Sequence, residues 1–120
     1  MRFLSMVRIS ENSAAQKPSQ QLMDDMGKLM EEMFRTGKLV DTAGLKPASE
    51  GIRVELARGG KISVVDGPYA EGKEVIGGYA ILEAESKDEA LELTRRFLQV
   101  HGTDWDIACE VREIAGPGEC

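Results

Sequence analysis

The sequence is poor in the residues that most often announce chemistry. It holds one histidine, one tryptophan and two cysteines in 120 residues, and aromatic side chains make up only 5%. The two cysteines, Cys109 and Cys120, are too few for a disulfide framework and lie at no metal-ligand spacing. Cys109 alternates with apolar neighbours and reads as a small core hydrophobe, whereas Cys120 ends a Gly/Pro stretch and reads as an exposed thiol. Both suit a reducing compartment, so a cytoplasmic protein is expected. No run approaches the roughly 18 apolar residues that a membrane helix needs. Ser5 and Arg8 break the apolar stretch over residues 3–9, so no signal peptide is expected. Positive charge is also short, 15 Lys and Arg against 21 Asp and Glu, for a net charge of −6. Such a chain repels phosphate backbones and has no basic run to offset this, so neither nucleic acid nor a membrane is an expected partner. Phosphate-cradling loops, dinucleotide fingerprints, nucleophile elbows and zincin motifs are missing. No cofactor and no metal are expected: Asp66, Glu71 and Glu74 could offer oxygen ligands, but their spacing matches no cation loop.

What remains is an ordinary globular composition, 42% hydrophobic and 30% charged. The length suits one domain, placed over residues 1–115, with 116–120 as a flexible tail. A chain of this size buries roughly two-thirds of its unfolded surface, enough for a core without staples.

Residues 3–9 alternate as a strand, with Phe3, Val7 and Ile9 on one face. A helix is expected to start near Pro18, where a missing N–H costs nothing. Its apolar stripe is Leu22, Met23, Met26, Leu29, Met30, Met33 and Phe34, with Gly37 as the left-handed stop. Residues 38–47 read as a short extended connection. Ile52, Val54 and Leu56, then Ile62 and Val64, alternate on either side of Gly59-Gly60, a two-residue hairpin signal. Tyr79, Ile81 and Glu83 mark a further strand. Ser86-Lys87-Asp88-Glu89 is a capping box opening a second helix, whose stripe is Ala90, Leu91, Leu93, Thr94, Phe97 and Leu98, with Gly102 as its stop. Ile107, Cys109 and Val111 close with a strand. Strands split by two one-striped helices predict an α+β fold, a ferredoxin-like split βαβ arrangement with an antiparallel sheet covered by two helices. The other sheet face then needs a cover, and a homodimer is expected to supply it.

The candidate site gathers at the turn after the hairpin. Asp66 can accept backbone hydrogen bonds in an Asx-type turn or contact a ligand, and Gly67 and Pro68 fix an abrupt change of direction. Glu71, Lys73 and Glu74 follow as solvated charges or ligand contacts. Gly77-Gly78 removes two side chains from the next strand, which permits a bulge or a close approach. Tyr69 and Tyr79 present apolar rings with polar tips. His101, near Trp105 and flanked by Asp104 and Asp106, suits either a helix C-terminus or proton transfer.

Asp66-Gly67-Pro68-Tyr69-Ala70-Glu71-Gly72-Lys73-Glu74, with Gly77-Gly78-Tyr79 behind it, resembles the signature of the YCII-related proteins, in the subgroup named for its Asp-Gly-Pro-Phe tetrapeptide. Gly37-Lys38-Leu39, Gly44-Leu45-Lys46-Pro47 and Glu110-Val111-Arg112 extend the likeness along nearly the whole chain. Tyr69 replaces the phenylalanine and Gly72 a usual threonine. The resemblance implies a dimeric α/β-barrel, two four-stranded sheets closed on each other, with small organic molecules bound between sheet and helices. It implies a ligand site at Asp66, Gly67, Pro68, Tyr69, Glu71, Lys73, Gly78 and Tyr79. As an enzyme, isomerase- or hydrolase-like, the chain would use Asp66 as general acid or base with Tyr69 or His101 assisting. The family's suggested histidine–aspartate pair lacks its histidine on the first helix here. Association of relatives with alternative sigma factors implies a sensing role as the other option.

Overall fold

The computed structural model describes residues 1–10, 16–66 and 74–119, with Glu74 described by its backbone alone. Strand β1 (Arg2–Ser10) leads to helix α1 (Gln20–Arg35) and strand β2 (Leu39–Gly44); a 3-10 turn (Ala48–Glu50) precedes β3 (Ile52–Leu56) and β4 (Ile62–Asp66). Strand β5 (Glu74–Glu83), helix α2 (Lys87–Val100) and β6 (Ile107–Glu113) complete the chain. The main sheet is antiparallel between all neighbours, in the order β2-β5-β1-β6, and among the described residues β3 and β4 pair only with each other. Two interleaved β-α-β units build it, since α1 carries the chain from β1 to β2 and α2 carries it from β5 to β6. The fold is α+β, as the alternation and helix stripes predict.

Register assigns the faces. Phe3 pairs with Leu82, Ser5 with Ala80 and Val7 with Gly78, while Val111 and Cys109 stand opposite Ser5 and Val7 on the other side. Onto this face fall both helix stripes, giving a core of Phe3, Leu29, Met33, Leu39, Leu82, Ala84, Ala90 and Leu93. Met26, Met30 and Phe97 pack at its margin. Met23 and Phe34, predicted within the stripe, are about half exposed at its edges. The opposite face carries Leu4, Met6, Tyr79 and Ile81 at the alternate positions, and neither helix lies on it.

The helix ends show how sequence fixes them. Pro18 stands before the cap rather than in the helix: Ser19 Oγ accepts from Leu22 N–H at 3.1 Å. At the far end Lys38 N–H donates to Met33 O at 2.9 Å and Gly37 N–H to Phe34 O at 3.1 Å, a Schellman pair around Gly37 at φ 76°. In α2 Ser86 Oγ accepts from Glu89 N–H at 3.1 Å, a cap that contributes about 1 kcal/mol. The reciprocal arm of the capping box is displaced, because Glu89 Oε1 accepts from Glu85 N–H and from Lys38 Nζ, each at 3.0 Å. One carboxylate thereby starts α2 and ties it to the exit of α1. An Arg96–Glu32 ion pair joins the helices a second time.

Two expectations are corrected, and the hairpin takes a place that the sequence left open. The stretch read as a connection contains the edge strand β2, with a register shift between Leu39 and Asp41 that breaks its alternation. The hairpin is not in the main sheet. Its loop spans three residues, since Ala57 N–H donates to Lys61 O at 2.8 Å and Gly60 N–H to Ala57 O at 3.0 Å. Gly59 and Gly60 do carry positive φ, 104° and 96°, the backbone state that glycine adopts without steric cost.

Candidate functional site

Between the helices and the sheet lies a cavity of about 240 Å³. Its sheet side is formed by Ser5, Val7 and Ile9 of β1 and by Gly77 to Leu82 of β5 apart from Ile81. Thr42 and Gly44 of β2 close one edge, and Met30, Met33, Leu93, Thr94 and Phe97 roof it from the two helices. The diglycine of β5 lines part of this space. A β-carbon on Gly77 would meet Ile9 Cγ2 at 3.0 Å, and one on Gly78 would meet Ala43 O at 2.9 Å. The register between β1 and β5 shifts beside these glycines, between Val7 and Arg8. Gly78 thus lets β2 draw close, and Gly77 lets the Ile9 side chain draw close. Leu45 N–H holds the same corner by donating to Gly77 O at 2.9 Å.

The wall is chemically quiet. Thr42 Oγ1 donates to Tyr79 O at 2.8 Å, and Thr94 Oγ1 donates to Ala90 O at 2.9 Å. Each hydroxyl proton is therefore committed, which leaves oxygen lone pairs as the polarity these threonines can offer. Ser5, buried, bonds the Cys109 thiol, and burial pushes that thiol's pKa up. Cys109 is held neutral, in keeping with a packing role. Among the described lining residues Tyr79 alone has an ionisable side chain. Its hydroxyl donates to Asp41 Oδ2 at 3.1 Å, and that bond, followed by the charge of Asp41, raises its pKa.

The predicted site residues disperse. Gly78 and Tyr79 line the cavity. Asp66 ends β4, exposed and opposite Ile52. Gly67, Pro68, Tyr69, Glu71 and Lys73 lie outside the described residues. His101 caps the C-terminus of α2: its Nδ1 lies 2.9 Å from Phe97 O, and its ring stands edge-on to Phe97 and to Trp105, with centroids 4.9 and 5.9 Å away. No hydrogen bond joins His101 to Asp66. Among the described residues no group of three or more His, Cys, Asp or Glu is placed to hold a metal ion. No helix among them is long and apolar enough to cross a membrane.

Sequence reasoning missed Ser5, Thr42, Met30, Thr94 and Phe97 as cavity residues. Thr94 and Ser5 carried a faint signal, as hydroxyls at positions where the periodicity demands an apolar side chain. Thr42 carried none, because its strand was hidden by the bulge.

The family model for the YCII-related domain matches residues 1–101, ending at the C-cap of α2 before β6. A protein of Rhizobium meliloti (strain 1021), called uncharacterized protein R00369, is 30% identical over 107 residues, which is 88% of this chain and 84% of the relative. With a family match across most of the chain and this relative beside it, the protein belongs to the YCII-related domain family.

Proposed function

We propose that the protein is a homodimeric binding protein that takes a small organic ligand into the cavity between helices and sheet. The observation that carries this reading is an apolar recess with no charged side chain among its described lining residues. An acid–base catalyst needs a titratable group within hydrogen-bond reach of the bound molecule, often with a second group to orient it. Asp66 and His101 do not form such a pair among the described contacts, since His101 is engaged with Phe97 O. Binding without chemistry is therefore favoured over the isomerase- or hydrolase-like reading, and a sensing role needs nothing more than such binding.

Size and polarity narrow the ligand. An apolar cavity of ~150 Å³ accommodates a benzene ring, so about 240 Å³ has room for a substituted ring or a small bicycle. The threonine hydroxyls accept rather than donate, which suits a neutral O–H or N–H donor such as a phenol or an indole. The uncovered sheet face of Leu4, Met6, Tyr79 and Ile81 supports the dimer, and the strand order supports the ferredoxin-like, dimeric α/β-barrel form of the fold.

Saturation-transfer NMR on a panel of matched phenols, indoles and carboxylic acids tests the reading. Neutral donors should bind, and Ala80→Leu, which fills the cavity from its floor, should abolish the signal. Binding of carboxylates alone, or binding untouched by Ala80→Leu, would place the ligand elsewhere.

A further inference from the structure

The hairpin β3–β4 carries a surface that no other described element of its chain covers. Val54 pairs with Val64 and Leu56 with Ile62, so these four and Ile52 share one face. All five are between 64% and 73% exposed. Adjoining branched side chains in water form a patch, unlike the scattered apolar exposure of any protein surface. A two-stranded hairpin alone is marginally stable at best in water. The radius of gyration, 16.4 Å, exceeds the roughly 14 Å of a compact domain of this length, as an arm held off the body requires.

We propose that this face docks on a second copy of the chain, resting on the dimer reading above and adding the hairpin to its interface. Charge selects the occupant. The hairpin has three cations, Arg53, Arg58 and Lys61, against Glu55 and Asp66, in a chain of net charge −6. Arg58 and Lys61 sit at the exposed tip. The negative excess lies wholly in the body of the chain, where Asp24, Glu31, Asp41 and Glu113 are exposed. Opposite local charges steer and register such an encounter even when net charges repel. A second copy also brings an uncovered apolar face of its own, and a two-fold axis covers both hairpins at once.

Sedimentation velocity over a concentration series, at low and high salt, tests this with three variants. Val54→Lys with Val64→Lys should raise the dimer dissociation constant tenfold or more while the circular dichroism is unchanged. Arg58→Glu with Lys61→Glu should weaken the dimer more at low salt than at high salt; lying at the exposed tip, this pair keeps the test valid if the lysines unfold the hairpin. Met6→Lys reports on the main sheet face alone. A dimer that survives both hairpin pairs but not Met6→Lys overturns the hairpin proposal and leaves the dimer reading intact. A wild type that stays monomeric at every concentration removes both.

Discussion

Gly78 sits so close to Ala43 that a β-carbon on it would lie 2.9 Å from the Ala43 carbonyl oxygen. The obstacle is backbone of the neighbouring strand, which cannot swing away as a side chain can. Gly78→Ala should therefore cost about 1–3 kcal/mol through displacement of β2, measured by urea unfolding at one fixed protein concentration. Gly77→Ala meets only the end of the Ile9 side chain at 3.0 Å, so it should cost less and shrink the cavity instead. Equal costs would contradict this division of labour.

Glu89 joins the start of α2 to Lys38 at the exit of α1, and the pairing gives stability a defined pH dependence. The Lys38 ammonium, then the Glu85 N–H, hold the Glu89 carboxyl below its ordinary value of 4.5. A carboxyl depressed in the folded state contributes stability above its unfolded pKa, and that contribution is lost as pH falls through the folded value. Lys38 is raised above 10.5, chiefly by its hydrogen bond to Glu89, so its share persists at neutral pH and is lost as pH rises through the raised value. Unfolding of wild type and Glu89→Gln across pH 2–7 should show a gap near neutrality that closes in acid. A gap that widens in acid would reverse the sign.

Tyr79 gives a spectroscopic handle on the outer face. With Asp41 beside it, its phenol should ionise above 10.0, the ordinary value. Ultraviolet titration in a Tyr69→Phe background isolates it, because the chain has only these two tyrosines. Asp41→Asn should bring the midpoint down; an unchanged midpoint would mean that the Asp41 contact does not form in solution.

Particular residues show how much of this was legible in the sequence. Ser86, Gly37 and Gly102 marked helix ends because caps and left-handed stops act locally. Alternation gave β1, β5, β6 and the hairpin strands, since a half-buried strand writes its period into the chain. Strand β2 escaped because the bulge after Leu39 shifts the period and Leu39 is its only buried residue. The hairpin's isolation was invisible for a different reason: alternating valines look the same whether their cover comes from the same chain or another. The cavity was hidden too, because Met30, Thr94 and Phe97 obey the core stripe, and a helical stripe reads the same whether the core it faces is filled or open. The diglycine was legible as a place for a bulge or close approach; what that approach encloses depended on three-dimensional packing.

The central claim is that the recess between helices and sheet is a binding site for a neutral ring. The most direct measurement is a proton–nitrogen correlation spectrum of the labelled protein titrated with indole. Saturable shifts should centre on the amides of Ser5, Thr42, Gly78, Thr94 and Phe97 and vanish in Ala80→Leu. Shifts confined to the surface around Asp66, or no saturable shifts at millimolar indole, would contradict it.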